Sequence, residues 1–128
     1  MRHVLLVEDH HAIRKAYTTV LTLDSPQDVI VDAGSLAEAR ALVRTTPVDT
    51  AVVDLNLPDG SGFDLIPEIR TAYPHACVVV LTASTDRADL DRAETMGVRL
   101  LHKTAGLAEI RGVVEHLRAV RCSEGPPP

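Results

Sequence analysis

The chain has 128 residues, of which 45% are hydrophobic, and its formal net charge is −5. This length and composition suit one globular domain with a buried core, and no apolar run nears the ~20 residues of a membrane-spanning helix. The negative charge, with only two tyrosines and one phenylalanine as aromatic residues, disfavours direct binding to nucleic acid by this chain alone.

Strand-like and helix-like segments alternate along the chain. Short apolar runs predict the strands, and apolar residues at helical spacing predict the helices between them. Ser35 and Glu38 have the spacing of a capping box, Pro67 predicts a kink or a late helix start, and Gly97 is a typical C-cap. In chain order the predicted elements are strand 3–7, helix 11–23, strand 28–31, helix 35–43, strand 50–53, helix 61–72, strand 77–81, helix 86–96, strand 98–101 and helix 105–120.

The alternation predicts the α/β class of fold. Five strands, each followed by a helix, form a doubly wound parallel sheet that carries helices on both faces. In an open sheet of this kind, ligands bind at the carboxyl ends of the strands. The residues that directly follow the strands are therefore the candidates for a functional site.

Ionisable and polar side chains stand at these strand ends. Glu8 and Asp9 follow the first strand, Asp54 ends the third, Thr82 ends the fourth, and Lys103 follows the fifth. If the first and third strands are neighbours, three carboxylates meet, and their repulsion calls for a cation. Oxygen ligands of this kind suit Mg²⁺. A carboxylate can also act as the nucleophile that accepts a phosphoryl group.

With these strand ends, the sequence resembles the response-regulator receiver family of bacterial two-component systems. The resemblance covers about residues 3 to 120 and is carried by LLVEDHH, VVDLNLPDGSG, VVVLTAS and LLHK, in that order. The segments EDHHAIRKAY and LLHKTAG are most similar to regulators with a C-terminal helix-turn-helix DNA-binding domain. The resemblance implies a flavodoxin-like strand order 2-1-3-4-5, a receiver domain at 1–122, and a tail or linker to an absent output domain at 123–128.

The resemblance also implies the chemistry of the acidic site. Asp54 is the expected phosphoacceptor. Mg²⁺ would be bound by Asp9 and Asp54, by Glu8 through water, and by the backbone carbonyl of Asn56. The phosphoryl donor would be a sensor histidine kinase or a phosphotransfer protein. Asp59, later in the same loop, is expected to serve only the turn.

Four further residues receive roles from the resemblance. Lys103 would contact the phosphoryl group, Thr82 would be the switch hydroxyl, and Ala83 would lie beside it. Leu100 stands where an aromatic residue is frequent in the family, and it is expected to couple the site to an output surface. Phosphorylation could also drive formation of a homodimer.

These features predict a signalling switch that controls transcription, with no enzymatic turnover beyond its own phosphorylation and slow dephosphorylation. The principal alternative is a stand-alone receiver, or a pseudo-receiver that acts only as an interaction module. A cobalamin-binding module is disfavoured by Arg14, which occupies the position of an expected glycine. A phosphatase is disfavoured by Asn56, which stands where a second acid is needed.

The cysteines and the N-terminus bear on the cellular compartment. Cys77 falls within a predicted strand and is expected to be a core thiol, whereas Cys122 lies near the C-terminus. The N-terminus has no signal-peptide pattern. A reducing cytoplasm is the expected setting.

Overall fold

The computed structural model describes residues 2–83, 86–103 and 107–119. Its predicted helices and strands are all present, with boundaries that shift by no more than two residues except at the start of the third helix, which begins five residues later than predicted. The elements are β1 (His3–Val7), α1 (His11–Asp24), β2 (Val29–Ala33), α2 (Leu36–Thr45), β3 (Thr50–Asp54), β4 (Asn56–Leu57), β5 (Gly60–Ser61), a 3-10 helix (Gly62–Leu65), α3 (Ile66–Ala72), β6 (Cys77–Thr82), α4 (Arg87–Met96), β7 (Arg99–His102) and α5 (Leu107–Ala119).

Five parallel strands form the central sheet in the order β2-β1-β3-β6-β7. Because β6 and β7 are the fourth and fifth predicted strands, this is the predicted order 2-1-3-4-5. Val7 of β1 pairs with Val53 of β3. The next residues along the two strands, Glu8 and Asp54, are therefore brought side by side at the carboxyl edge of the sheet.

Alternate residues of each strand supply two cores, one on each face of the sheet. Leu5 and Val53 belong to the core that packs against α2, α3 and α4, whereas Leu6 and Val52 belong to the core against α1 and α5. Every residue of β3 is buried, as expected for a central strand covered on both faces. Among the described residues, no helix is long and apolar enough to cross a membrane.

The segment that follows β3 differs from the single helix predicted at 61–72. β4 and β5 first form a small antiparallel ribbon, and the 3-10 helix then precedes α3. Pro67 lies in the first turn of α3, which confirms the late helix start. A Cβ atom at Gly62 would lie 2.3 Å from the carbonyl oxygen of Asp54. Glycine is therefore required where the chain passes over the end of β3.

The backbone N–H groups in the first turn of α2 donate hydrogen bonds to two parts of the chain. The Ser35 hydroxyl accepts a 3.2 Å bond from the backbone N–H of Glu38, as the capping pattern predicts. The carboxylate of Asp59 accepts bonds from the N–H groups of Leu36 (2.8 Å) and Ala37 (3.0 Å). The expectation that Asp59 serves only its own turn is wrong, because the ribbon places it at the N-terminus of α2.

The opposite end of α2 is bonded by the residue that follows α3. The Tyr73 hydroxyl lies 2.9 Å from the carbonyl oxygen of Val43 and 2.7 Å from that of Thr46. These are carbonyl groups that a helix leaves without internal partners at its C-terminus. Both ends of α2 are thus bonded by the segment between β3 and β6.

Cys77 is the first residue of β6, at the amino edge of the sheet, where it is half-buried and disulfide-bonded. The prediction of a core thiol is therefore wrong, because the sulfur is held in a disulfide and the residue is only half-buried at the start of its strand. Cys122, the other cysteine of the sequence, lies outside the described residues. The cysteines accordingly give no support for a reducing compartment.

Candidate functional site

The carboxyl ends of β1 and β3 bring together the three acids predicted from the sequence. Glu8, Asp9 and Asp54 each offer a carboxylate oxygen, and these oxygens lie within 4.8 Å of one another. Glu8 is 0% exposed and Asp54 is 2% exposed, whereas Asp9 is exposed. The cluster therefore has two buried carboxylates and one at its mouth.

Hydrogen bonds from backbone N–H groups hold Glu8 and Asp54 at the carboxyl end of the sheet. The N–H of Glu8 donates to the carbonyl oxygen of Ala33 (3.0 Å), which continues the pairing of β1 with β2 by one residue. The N–H of Asn56 donates to Oδ1 of Asp54 (3.0 Å), which orients that carboxylate. Asn56 itself is exposed. Its backbone thus lies within reach of the acidic cluster.

Lys103 bridges the two buried acids. Its Nζ donates to Oε2 of Glu8 (2.9 Å) and to Oδ2 of Asp54 (2.7 Å). The N–H of Lys103 donates to the carbonyl oxygen of Thr82 (2.7 Å), which holds the loop after β7 against the end of β6. The predicted convergence of Lys103 with the carboxylates is therefore present in the structure.

The ionisation of this group reflects its burial. Burial, together with the charge of Asp54, raises the pKa of Glu8 to about 7 against the opposing hydrogen bond from Lys103. Burial alone would lower the pKa of Lys103, but its bonds to Asp54 and Glu8 outweigh that effect and raise it. Lys103 therefore remains an ammonium group, while the buried carboxyl group of Glu8 holds its proton up to about neutral pH.

The other predicted residues lie on β6, directly after it and on β7. Thr82 is 1% exposed and follows Leu81, which pairs with Asp54. Ala83 is exposed beyond it. Leu100 lies in β7, where it is half-buried and packs against the core on the face of the sheet that carries α2, α3 and α4.

Sequence reasoning missed Arg14, which contacts the acid segment. Its Nη1 donates to the carbonyl oxygen of Glu8 (2.8 Å), and its Nε donates to Oδ2 of Asp32 (3.1 Å). Helical side chains point toward the N-terminus of their helix. A long cationic side chain in the second turn of α1 was therefore the signal that could have revealed this contact.

Comparison with known families decides the identity of the fold. The profile described as "Response regulator receiver domain" matches residues 4–115. The chain belongs to the response-regulator receiver family. This receiver domain is 38% identical over 92 residues to the DNA-binding transcriptional activator DevR/DosR of Mycobacterium tuberculosis. That match covers 71% of this chain and 42% of DevR/DosR, so the chain spans less than half the length of that relative.

Solved structures of receivers have the same architecture. The non-phosphorylated HemR receiver domain of Leptospira biflexa is 27% identical, with a TM-score of 0.80 over 94% of this chain and 97% of that one. The response regulator TrrA of Thermotoga maritima, solved in complex with Mg²⁺-BeF, is 25% identical. It superposes with a TM-score of 0.72 over 91% of this chain and 99% of that one. The receiver fold is thus reproduced over nearly the whole chain.

Proposed function

We propose that this receiver domain accepts a phosphoryl group on Asp54, with Mg²⁺ bound beside it. The observation that carries the proposal is the convergence of three carboxylates within 4.8 Å at the end of the sheet where Lys103 bonds two of them. A structural ion pair needs one acid for one base. The surplus of negative charge instead favours a site for a cation and for phosphoryl transfer.

The donor set fits Mg²⁺. Asp9 and Asp54 would be direct ligands, Glu8 would act through water, and the backbone carbonyl of Asn56 would add a fourth oxygen. Few protein ligands, all of them oxygen, suit this ion. TrrA, solved with Mg²⁺-BeF, is a precedent within the family. The ion would supply positive charge to the phosphoryl oxygens.

Asp54 is the expected nucleophile. One carboxylate oxygen forms a bond to phosphorus while the bond between phosphorus and the donor breaks, and the donor's leaving group takes the electron pair. Lys103 would then bind a phosphoryl oxygen in place of a carboxylate oxygen. The hydroxyl of Thr82 and the backbone beside Ala83 would bind another. The domain would catalyse only this transfer and its own slow dephosphorylation, without further turnover.

The donor would be a sensor histidine kinase or a phosphotransfer protein, and the output would be transcription. DevR/DosR is described as a DNA-binding transcriptional activator, and this supports a DNA-binding domain joined to the receiver (1–122) through a linker that begins at 123–128.

Phosphorylation would favour a homodimer, in the cytoplasm. A stand-alone receiver is the alternative, whereas a pseudo-receiver is disfavoured because the acidic cluster is complete.

The test of this function is phosphorylation in vitro. Incubation with acetyl phosphate and Mg²⁺ should add one phosphoryl group, detected by intact-mass spectrometry. Asp54→Asn or excess EDTA should abolish the addition. Asp64→Asn is the matched control, because Asp64 is an exposed carboxylate in the 3-10 helix after the same loop. Full labelling of Asp54→Asn would exclude Asp54 as the acceptor.

A further inference from the structure

We propose that Arg14 is a positioning residue, which orients the peptide between Glu8 and Asp9 for metal binding. The inference rests on the proposed role of these acids in holding Mg²⁺. Arg14 Nη1 donates a 2.8 Å bond to the backbone carbonyl oxygen of Glu8. That carbonyl belongs to the peptide unit that joins the buried acid to the exposed one. Its orientation therefore constrains the backbone from which the Asp9 side chain projects.

The guanidinium group is itself held from two sides. Nε donates to Oδ2 of Asp32 at the end of β2 (3.1 Å), and Nη2 lies 3.4 Å from Nδ1 of His11. The side chain of Arg14 is only 19% exposed. One side chain thus connects α1, the end of β1 and the end of β2.

The loop after β2 leaves room for this group. A Cβ atom at Gly34 would lie 2.4 Å from Nη1 of Arg14, closer than two atoms that are not bonded can approach. The absence of a side chain at this position therefore admits the guanidinium to the carbonyl of Glu8. Gly34 therefore lines one side of the space that the guanidinium group occupies.

Arginine suits this role better than lysine does. Its planar group presents several N–H donors in fixed directions, so that it can bond a carbonyl and a carboxylate at once, whereas a lysine ammonium is a single compact charge. The pair with Asp32 is partly open to solvent, since Asp32 is 45% exposed, and such pairs add little to stability. We therefore expect loss of Arg14 to affect metal affinity more than folding.

The experiment compares Arg14→Met with Arg40→Met in the full chain. Arg40 pairs with Glu68 through its Nε at 2.7 Å, so its loss removes a similar surface ion pair from α2, away from the acids. Mg²⁺ affinity is measured by isothermal titration calorimetry, and thermal stability is measured in EDTA. Arg14→Met should weaken Mg²⁺ binding about tenfold, in the range of residues that orient metal ligands. Arg40→Met should leave the affinity unchanged.

Two further variants separate positioning from a general structural effect. Arg14→Lys should recover only part of the lost affinity. Asp32→Asn should weaken Mg²⁺ binding in the same direction but less, because Arg14 keeps its bond to Glu8. In EDTA, the amide signals of Asp9 and His10 should shift in Arg14→Met and not in Arg40→Met.

The outcomes distinguish the two proposals. If the unmodified chain binds Mg²⁺ and Arg14→Met binds it equally well, the positioning role is refuted and the metal site stands. If the unmodified chain does not bind Mg²⁺, the metal site is refuted, and the role of Arg14 is refuted with it. A thermal midpoint that falls far more in Arg14→Met than in Arg40→Met, with no change in the signals of Asp9, would also overturn the inference.

Discussion

At the residue scale, buried Glu8 makes the stability of the metal-free protein depend on pH. Its pKa rises from 4.5 to about 7 on folding, so the folded state binds a proton more tightly than the unfolded state does. This contribution to stability is fully present below pH 4.5 and is lost as pH rises to about 7. The loss is on the order of 1–3 kcal/mol.

Glu8→Gln isolates this effect, because the amide keeps the size of the side chain and cannot ionise. In EDTA, the free energy of unfolding of Glu8→Gln minus that of the unmodified chain should increase as pH rises through the same window, because only the unmodified chain loses stability there. Urea denaturation at a series of pH values measures the difference. A difference that stays constant with pH would mean that Glu8 does not titrate in this range.

The acids and Lys103 were predictable because each follows a strand, and parallel strands present their carboxyl ends at one edge. Asp59 was not predictable in its role, and the position of Arg14 in α1 indicated the reach of its side chain but not its partners. Asp59 bonds to backbone groups 22 and 23 residues away, and Arg14 reaches Asp32, 18 residues away. Such contacts depend on how whole elements pack, which local spacing does not encode.

At the element scale, β7 carries two neighbouring leucines that face opposite cores. Leu100 packs against the core that includes Ala93 of α4, and Leu101 packs against the core that includes Val113 of α5. Both leucines are half-buried. The pair therefore allows the predicted coupling role of Leu100 to be tested against a matched neighbour.

Leu100→Ala should still accept phosphate on Asp54 but lose most of the phosphorylation-induced shift in the amide signals of α4 and β7. Leu101→Ala should retain that shift. Each change should cost about 2 kcal/mol of stability, the low end for leucine because both side chains are half-buried. The coupling itself should be about 1–2 kcal/mol. An undiminished response in Leu100→Ala would assign Leu100 to the core alone.

Element type and order followed from the sequence because the strands are continuous apolar runs and the helices have clear apolar faces. The ribbon of β4 and β5 did not follow, since strands of two residues carry no periodic pattern. The sequence also did not predict that the third helix is divided into a 3-10 helix and α3. Pro67 marks the first turn of α3, but nothing in the sequence marks the 3-10 helix before it.

At the scale of the whole molecule, the net charge of −5 predicts that this chain alone does not bind DNA specifically. A protein that binds the phosphate backbone needs a basic surface. Selection from a randomised duplex library at physiological salt should enrich no sequence. Nanomolar, sequence-specific binding by this chain would contradict the prediction and would place a DNA-binding surface within the receiver itself.

The bonds at both ends of α2 have a consequence for how the molecule opens. Asp59 bonds the first turn of α2 and Tyr73 bonds its last carbonyl groups, so α2 and the segment between β3 and β6 should exchange their amide hydrogens as one cooperative unit. Asp59→Ala should speed exchange across α2 and that segment together, whereas Asp91→Ala, which removes an exposed pair on α4, should not. If only Leu36 and Ala37 exchange faster, the unit is not cooperative. If the unit is cooperative, the rate of hydrogen exchange at the amides of α2 measures how often the loop that follows Asp54 opens.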